Sequence, residues 1–112
     1  MTGYAKILGV AALTLWSSGA VNAGEKYSGA WDGRTYTSIE ITSTKPLTVT
    51  YCYQRQCAMH QPRGTVSNMT FTFPKRGQFA GATMTMQKSG ERYVGRYKRN
   101  DSTRISTATL GR

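Results

Sequence analysis

After Ala23, large apolar side chains recur at every second position, and no stretch shows the 3.6-residue period of a helix. Leu47, Val49, Tyr51 and Tyr53 fall on one side of an extended segment, with Thr48, Thr50 and Cys52 on the other. Met69, Phe71 and Phe73 alternate with Thr70 and Thr72, and Met84 and Met86 with Thr83, Thr85 and Gln87. Ile39 and Ile41 flank Glu40, and Tyr93, Gly95 and Tyr97 alternate with Arg92, Val94, Arg96 and Lys98. A strand sends successive side chains to opposite faces, so these runs predict half-buried strands. The abundant threonines suit their outer faces, because a branched Cβ packs well on a pleated surface.

Turn formers separate the runs: Asp32-Gly33, Lys45-Pro46, the residues between Cys52 and Cys57, Pro62-Arg63-Gly64, Pro74 to Gly77, Ser89-Gly90 and Asn100-Asp101. The spacing predicts an all-β domain of about seven or eight short strands, arranged as a small antiparallel up-and-down barrel or a sandwich. The expected inward set is Trp31, Ile39, Ile41, Leu47, Val49, Tyr51, Tyr53, Met69, Phe71, Phe73, Phe79, Met84, Met86, Tyr93 and Tyr97. Ile105 is out of phase with Ala108 and Leu110, which predicts a bulge in the last strand. Core packing is the default role of these aromatics. Buried tyrosines still need partners for their hydroxyls, which leaves room for a shallow, partly polar pocket lined by Trp31, Tyr51, Tyr53 and Tyr93.

The chain opens with the layout of a secretory signal peptide. Lys6 precedes an uncharged run from Ile7 to Trp16, and a small-residue segment ends Val21-Asn22-Ala23. The apolar run has ten residues, whereas a membrane-spanning helix needs about 20. Residues 1–23 are therefore expected to be removed on export, leaving residues 24–112 as one domain in the periplasm or outside the cell. Such a domain buries a little over ~60% of its unfolded surface, enough for one core.

Export decides how Cys52 and Cys57 are read. They are the only two cysteines, and an even pair in an oxidising compartment normally forms a bridge. Closing so short a loop stabilises by roughly 2 kcal/mol on the loop-entropy model. One nearby histidine and no second cysteine pair make a poor zinc site. The spacing is not the Cys-X-X-Cys of a redox dithiol. A disulfide here would close a hairpin that displays Gln54, Arg55 and Gln56, and Arg55 is a candidate protein contact.

Gly29-Ala30-Trp31 lies at the start of the first strand, and a basic residue, Arg104 or Arg112, lies in or after the last. This pattern resembles the signature of the calycins, the group of lipocalins, fatty-acid-binding proteins and avidins. The resemblance implies an up-and-down barrel in which a cation from the final strand packs across the indole. It also implies a carrier of a small apolar ligand. Residues 24–112 are fewer than a typical lipocalin has.

Charge is the most distinctive feature. Residues 1–23 hold one of the 15 Lys and Arg residues and none of the five acids, so residues 24–112 carry 14 cations against five acids, a formal +9. In a domain this small that creates a sizeable positive potential. The cations crowd the second half: Lys75, Arg76, Lys88, Arg92, Arg96, Lys98, Arg99 and Arg104. A solvated surface kept soluble by like charge is the plainest reading. The favoured one is an anion-binding face for lipopolysaccharide, acidic polysaccharide or anionic lipid. Arginine interleaved with tyrosine also suits nucleic acid, but export argues against that partner.

Catalysis has little to work with. His60 is the only histidine, and Glu25, Asp32, Glu40, Glu91 and Asp101 are scattered. No nucleophile elbow, His-Glu-X-X-His helix or phosphate loop occurs. His60 is expected on a surface loop, with no catalytic residue, metal or cofactor. The leading expectation is a non-catalytic exported binding protein of the cell envelope. The alternatives are a calycin-type carrier and an interaction or inhibitor module built on the disulfide hairpin.

Overall fold

The structure, a computed structural model, describes residues 22–112 apart from Phe79. The predicted leader lies almost wholly outside these residues, as does the inward position expected for Phe79. The alternating runs become nine strands: β1 (Lys26–Trp31), β2 (Thr35–Thr44), β3 (Leu47–Tyr53), β4 (Gln56–His60), β5 (Arg63–Thr65), β6 (Asn68–Phe73), β7 (Ala82–Ser89), β8 (Arg92–Arg99) and β9 (Ser106–Gly111). They form one sheet in the order β4-β3-β2-β1-β9-β8-β7-β6-β5, with every pairing antiparallel. The sheet curls on itself as a half-barrel, and its two edges are consecutive in the chain.

Those pairings settle a point of topology. Alternating directions around the sheet require β4 and β5 to run the same way. They are two pieces of one strand interrupted at Gln61-Pro62. Pro62 lacks the N–H that a ladder needs, so the first piece pairs with β3 and the second with β6. Pro62-Arg63-Gly64 was expected to reverse the chain and instead interrupts it without reversal. This is why seven or eight expected strands become nine.

The strands bury the face that alternation selects. Ile39, Ile41, Val49, Met69, Met84, Met86, Tyr93 and Leu110 are fully buried, and Tyr27, Trp31, Phe71 and Ala108 nearly so. These side chains pack together as one hydrophobic core. Gly95 creates the space for two of them: a Cβ there would sit 3.0 Å from both the Trp31 ring and the Met86 sulfur. Gly29 serves the β1–β9 junction, where a Cβ would collide with the Thr109 carbonyl oxygen.

Three expectations need correcting. Tyr53 belongs to the inward phase but ends β3 at the rim and stays 45% exposed. Ile105 precedes β9 and is exposed, so its phase does not mark a bulge; the irregular register lies between Ile41 and Ser43 on β2. His60 is no surface loop residue. It ends β4 half-buried, with its ring 5.4 Å from that of Phe73, 5.9 Å from Phe71 and 6.2 Å from Tyr51.

Candidate functional site

One end of the curled sheet gathers the end of β1, the start of β2, the tip of the β3–β4 hairpin, the end of β6 and the β8–β9 loop. Between them lies a cleft of about 400 Å³ lined by Trp31, Tyr51, Tyr53, Phe73 and Tyr97, with Asp32, Arg34, Thr35, Arg104 and Ser106 at its polar rim. Its floor is an aromatic mosaic. The Trp31 indole N–H donates to the Tyr51 hydroxyl at 3.2 Å. The Trp31 and Tyr97 rings lie 6.0 Å apart, Tyr51 and Phe73 6.1 Å, and Phe73 and Tyr97 6.4 Å. Burial raises the Tyr51 hydroxyl above its usual pKa, so it stays protonated.

Asp32 organises the rim. It occupies the left-handed region, with φ 52°, in the Asp32-Gly33 turn. Its N–H donates to the Thr107 carbonyl at 2.7 Å, and its carboxylate accepts the Thr107 N–H at 3.1 Å. The side chain thereby adds a rung between β1 and β9. The Thr107 N–H, more than any other group, holds this carboxyl below the usual carboxylate range. Arg104 reaches the same carboxylate at 3.4 Å, but its side chain is 77% exposed. Arg34 makes no ion pair among the described residues.

Three of the four aromatics expected to line a pocket meet here: Trp31, Tyr51 and Tyr53. Tyr93 does not. It lies towards the opposite end, edge-on to Tyr27 with centroids 4.8 Å apart, and its hydroxyl donates to the Val66 carbonyl. Phe73, Tyr97 and Arg34 were not singled out as pocket residues. Phe73 and Tyr97 were legible as inward positions, but alternation does not say which end of a strand opens to solvent.

The expected cations divide into groups. Arg92, Arg96 and Lys98 point outward from β8 and are exposed. Their direct cross-strand neighbours are uncharged: Ser89, Thr85 and Thr83 on β7, with Gly111 and Thr107 on β9. Lys75 and Arg76 are exposed between β6 and β7. Lys88 donates to the Gly90 carbonyl at 2.6 Å. Arg99 pairs with Asp101 at 2.8 Å, and Arg104 reaches Asp32. Arg112 pairs with Glu25 at 3.0 Å and Glu91 at 3.3 Å, and its guanidinium lies 6.0 Å from the Tyr27 ring centre. The cation that stacks at the chain's end thus meets Tyr27, while Arg104 shares the cleft with Trp31.

Cys52 and Cys57 are bonded, directly opposite each other on β3 and β4. The bond sits on the outer face and clamps a two-residue loop, Gln54-Arg55, whose first residue has φ 57°. Arg55 is exposed at this tip. Among the described residues, no group of three or more His, Cys, Asp or Glu is placed to hold a metal ion. No helix among them is long and apolar enough to cross a membrane. The chain matches no family model, no curated protein and no solved structure.

Proposed function

We propose that this is an exported, non-catalytic binding protein of the cell envelope that holds an anionic partner on the outer face of β8. The partner class is lipopolysaccharide, acidic polysaccharide or anionic lipid. The observation that carries the reading is the row Arg92, Arg96 and Lys98, whose direct cross-strand neighbours are all neutral. At about 3.4 Å per residue the row extends roughly 20 Å, long enough to meet several anionic groups of one polymer or surface. Glu25, Asp32, Glu91 and Asp101 are engaged by Arg112, Arg104 and Arg99, Glu40 lies on β2 opposite Lys26 and Thr50, and no acid pairs with the β8 row among the described residues. Export rests on the layout of residues 1–23: Lys6, the uncharged run Ile7 to Trp16, and a small-residue segment ending Val21-Asn22-Ala23. A carrier that encloses an apolar ligand has less support, because the inward side chains pack against one another as one core.

The test is titration of the protein against lipopolysaccharide, acidic polysaccharide and anionic vesicles at low and physiological ionic strength. Binding should weaken steeply as salt shortens the Debye length from about 30 Å at 0.01 M to about 8 Å at 0.15 M. Replacing Arg92, Arg96 and Lys98 together by Gln should abolish it. Absence of binding to all three at low salt overturns the proposal.

A further inference from the structure

We infer that the aromatic cleft is a second binding site, distinct from the β8 row, and that it takes the ring of an acidic sugar. The argument starts from its floor. Tyr53 has the inward register of β3 yet keeps nearly half its surface open to the cleft mouth. Tyr51, Phe73 and Tyr97 are only partly buried beside it. Ala58, directly opposite Tyr51 on β4, is also exposed. So small a side chain at an inward position adds little bulk beside Tyr51. The cleft volume of about 400 Å³ falls within the ~300–1,000 Å³ of small-ligand sites.

The floor is preorganised. Trp31 is fixed by its bond to Tyr51 and by the space at Gly95, and the disulfide holds the hairpin that carries Tyr53. A ligand therefore orders few side chains on binding. The negative faces of these rings suit the weakly positive C–H face of a sugar.

The rim supplies the rest of the specificity. Thr35, Ser106 and Asp32 can exchange hydrogen bonds with ring hydroxyls, and Arg34 and Arg104 offer planar forks to a carboxylate. A purely apolar ligand would strip water from this rim without replacing its hydrogen bonds. A bare inorganic anion would leave the aromatic floor unused. A pyranose carrying a carboxylate satisfies both. Arg104 can turn to the ligand because its pair with Asp32 is long and exposed.

The experiment titrates the protein with a disaccharide containing glucuronic acid, its neutral glucose counterpart and benzoate, read by calorimetry. The acidic disaccharide should bind at least about tenfold tighter than the neutral one, the size of one charge-assisted hydrogen bond. Tyr53→Ala and the pair Arg34→Gln with Arg104→Gln should each weaken it about tenfold or more on the same scale. Asp32→Asn should strengthen binding, since it frees Arg104 yet keeps an acceptor for the Thr107 N–H and tolerates a positive φ. The triple Gln variant of β8 should bind the disaccharide as before, which separates this site from the envelope reading. No binding of the acidic disaccharide, equal binding of the two sugars, or binding of benzoate alone overturns the inference.

Discussion

His60 shows how a single side chain can set a pH limit on this fold. Its ring is packed among Tyr51, Phe71 and Phe73, and burial lowers its pKa from the ordinary 6.5. The unfolded chain therefore binds a proton more readily than the folded one. Linkage then makes stability full above pH 6.5 and progressively lower as pH falls below it, until the folded state also protonates. Asp32 titrates in a separate window. Its depressed pKa removes stability only as pH falls below its ordinary 3.8. A denaturation series from pH 7.5 to about 5 should show falling stability in the native protein and a flat profile in His60→Phe. A slope of equal size in the variant would show that His60 is not the cause.

Among the elements, β4 is one of two edge strands secured on a single side, the other being β5. It is an edge strand that pairs only with β3, and Gln56 to Met59 are exposed, Met59 by 67%. The Cys52–Cys57 bond compensates by tying the strand to its one neighbour. Reduction, or replacement of both cysteines by Ala, should cost about 2 kcal/mol. It should also speed amide exchange in β4 well before β3 or β8 changes; uniform loss of protection would contradict this local role. The disulfide and the inner faces of β2, β3, β6, β7 and β8 were legible because period-two patterning and an isolated cysteine pair are local signals. Tyr27 shares the alternation of Gly29 and Trp31 and could have been included; β1 simply starts at Lys26. The bend at Pro62 was not legible. Proline and glycine mark an interruption of the ladder, and whether the chain then reverses depends on β6 taking up the second piece. The burial of His60 follows from that same non-local arrangement, as does the cleft.

At the scale of the whole molecule, net charge competes with cohesion. Four of the five acids are engaged by arginines, so much of the remaining positive charge faces only itself across a small surface. Screening should relieve that repulsion more than it weakens four exposed ion pairs, each worth little. The melting temperature should therefore rise between about 0.01 M and 0.15 M salt. A fall would mean that the ion pairs dominate. The order of the strands has another outcome. Arg112 lies against Glu25, and the sheet's two edges meet at Gln61-Pro62, where no ladder bridges β4 and β5. In space the domain is a ring of chain with one break at the β1–β9 side and one weak link across from it. A circular permutant that joins Arg112 to Gly24 and opens between Gln61 and Pro62 would retain every strand pairing described. The polypeptide's starting point is, in that sense, interchangeable with its hinge.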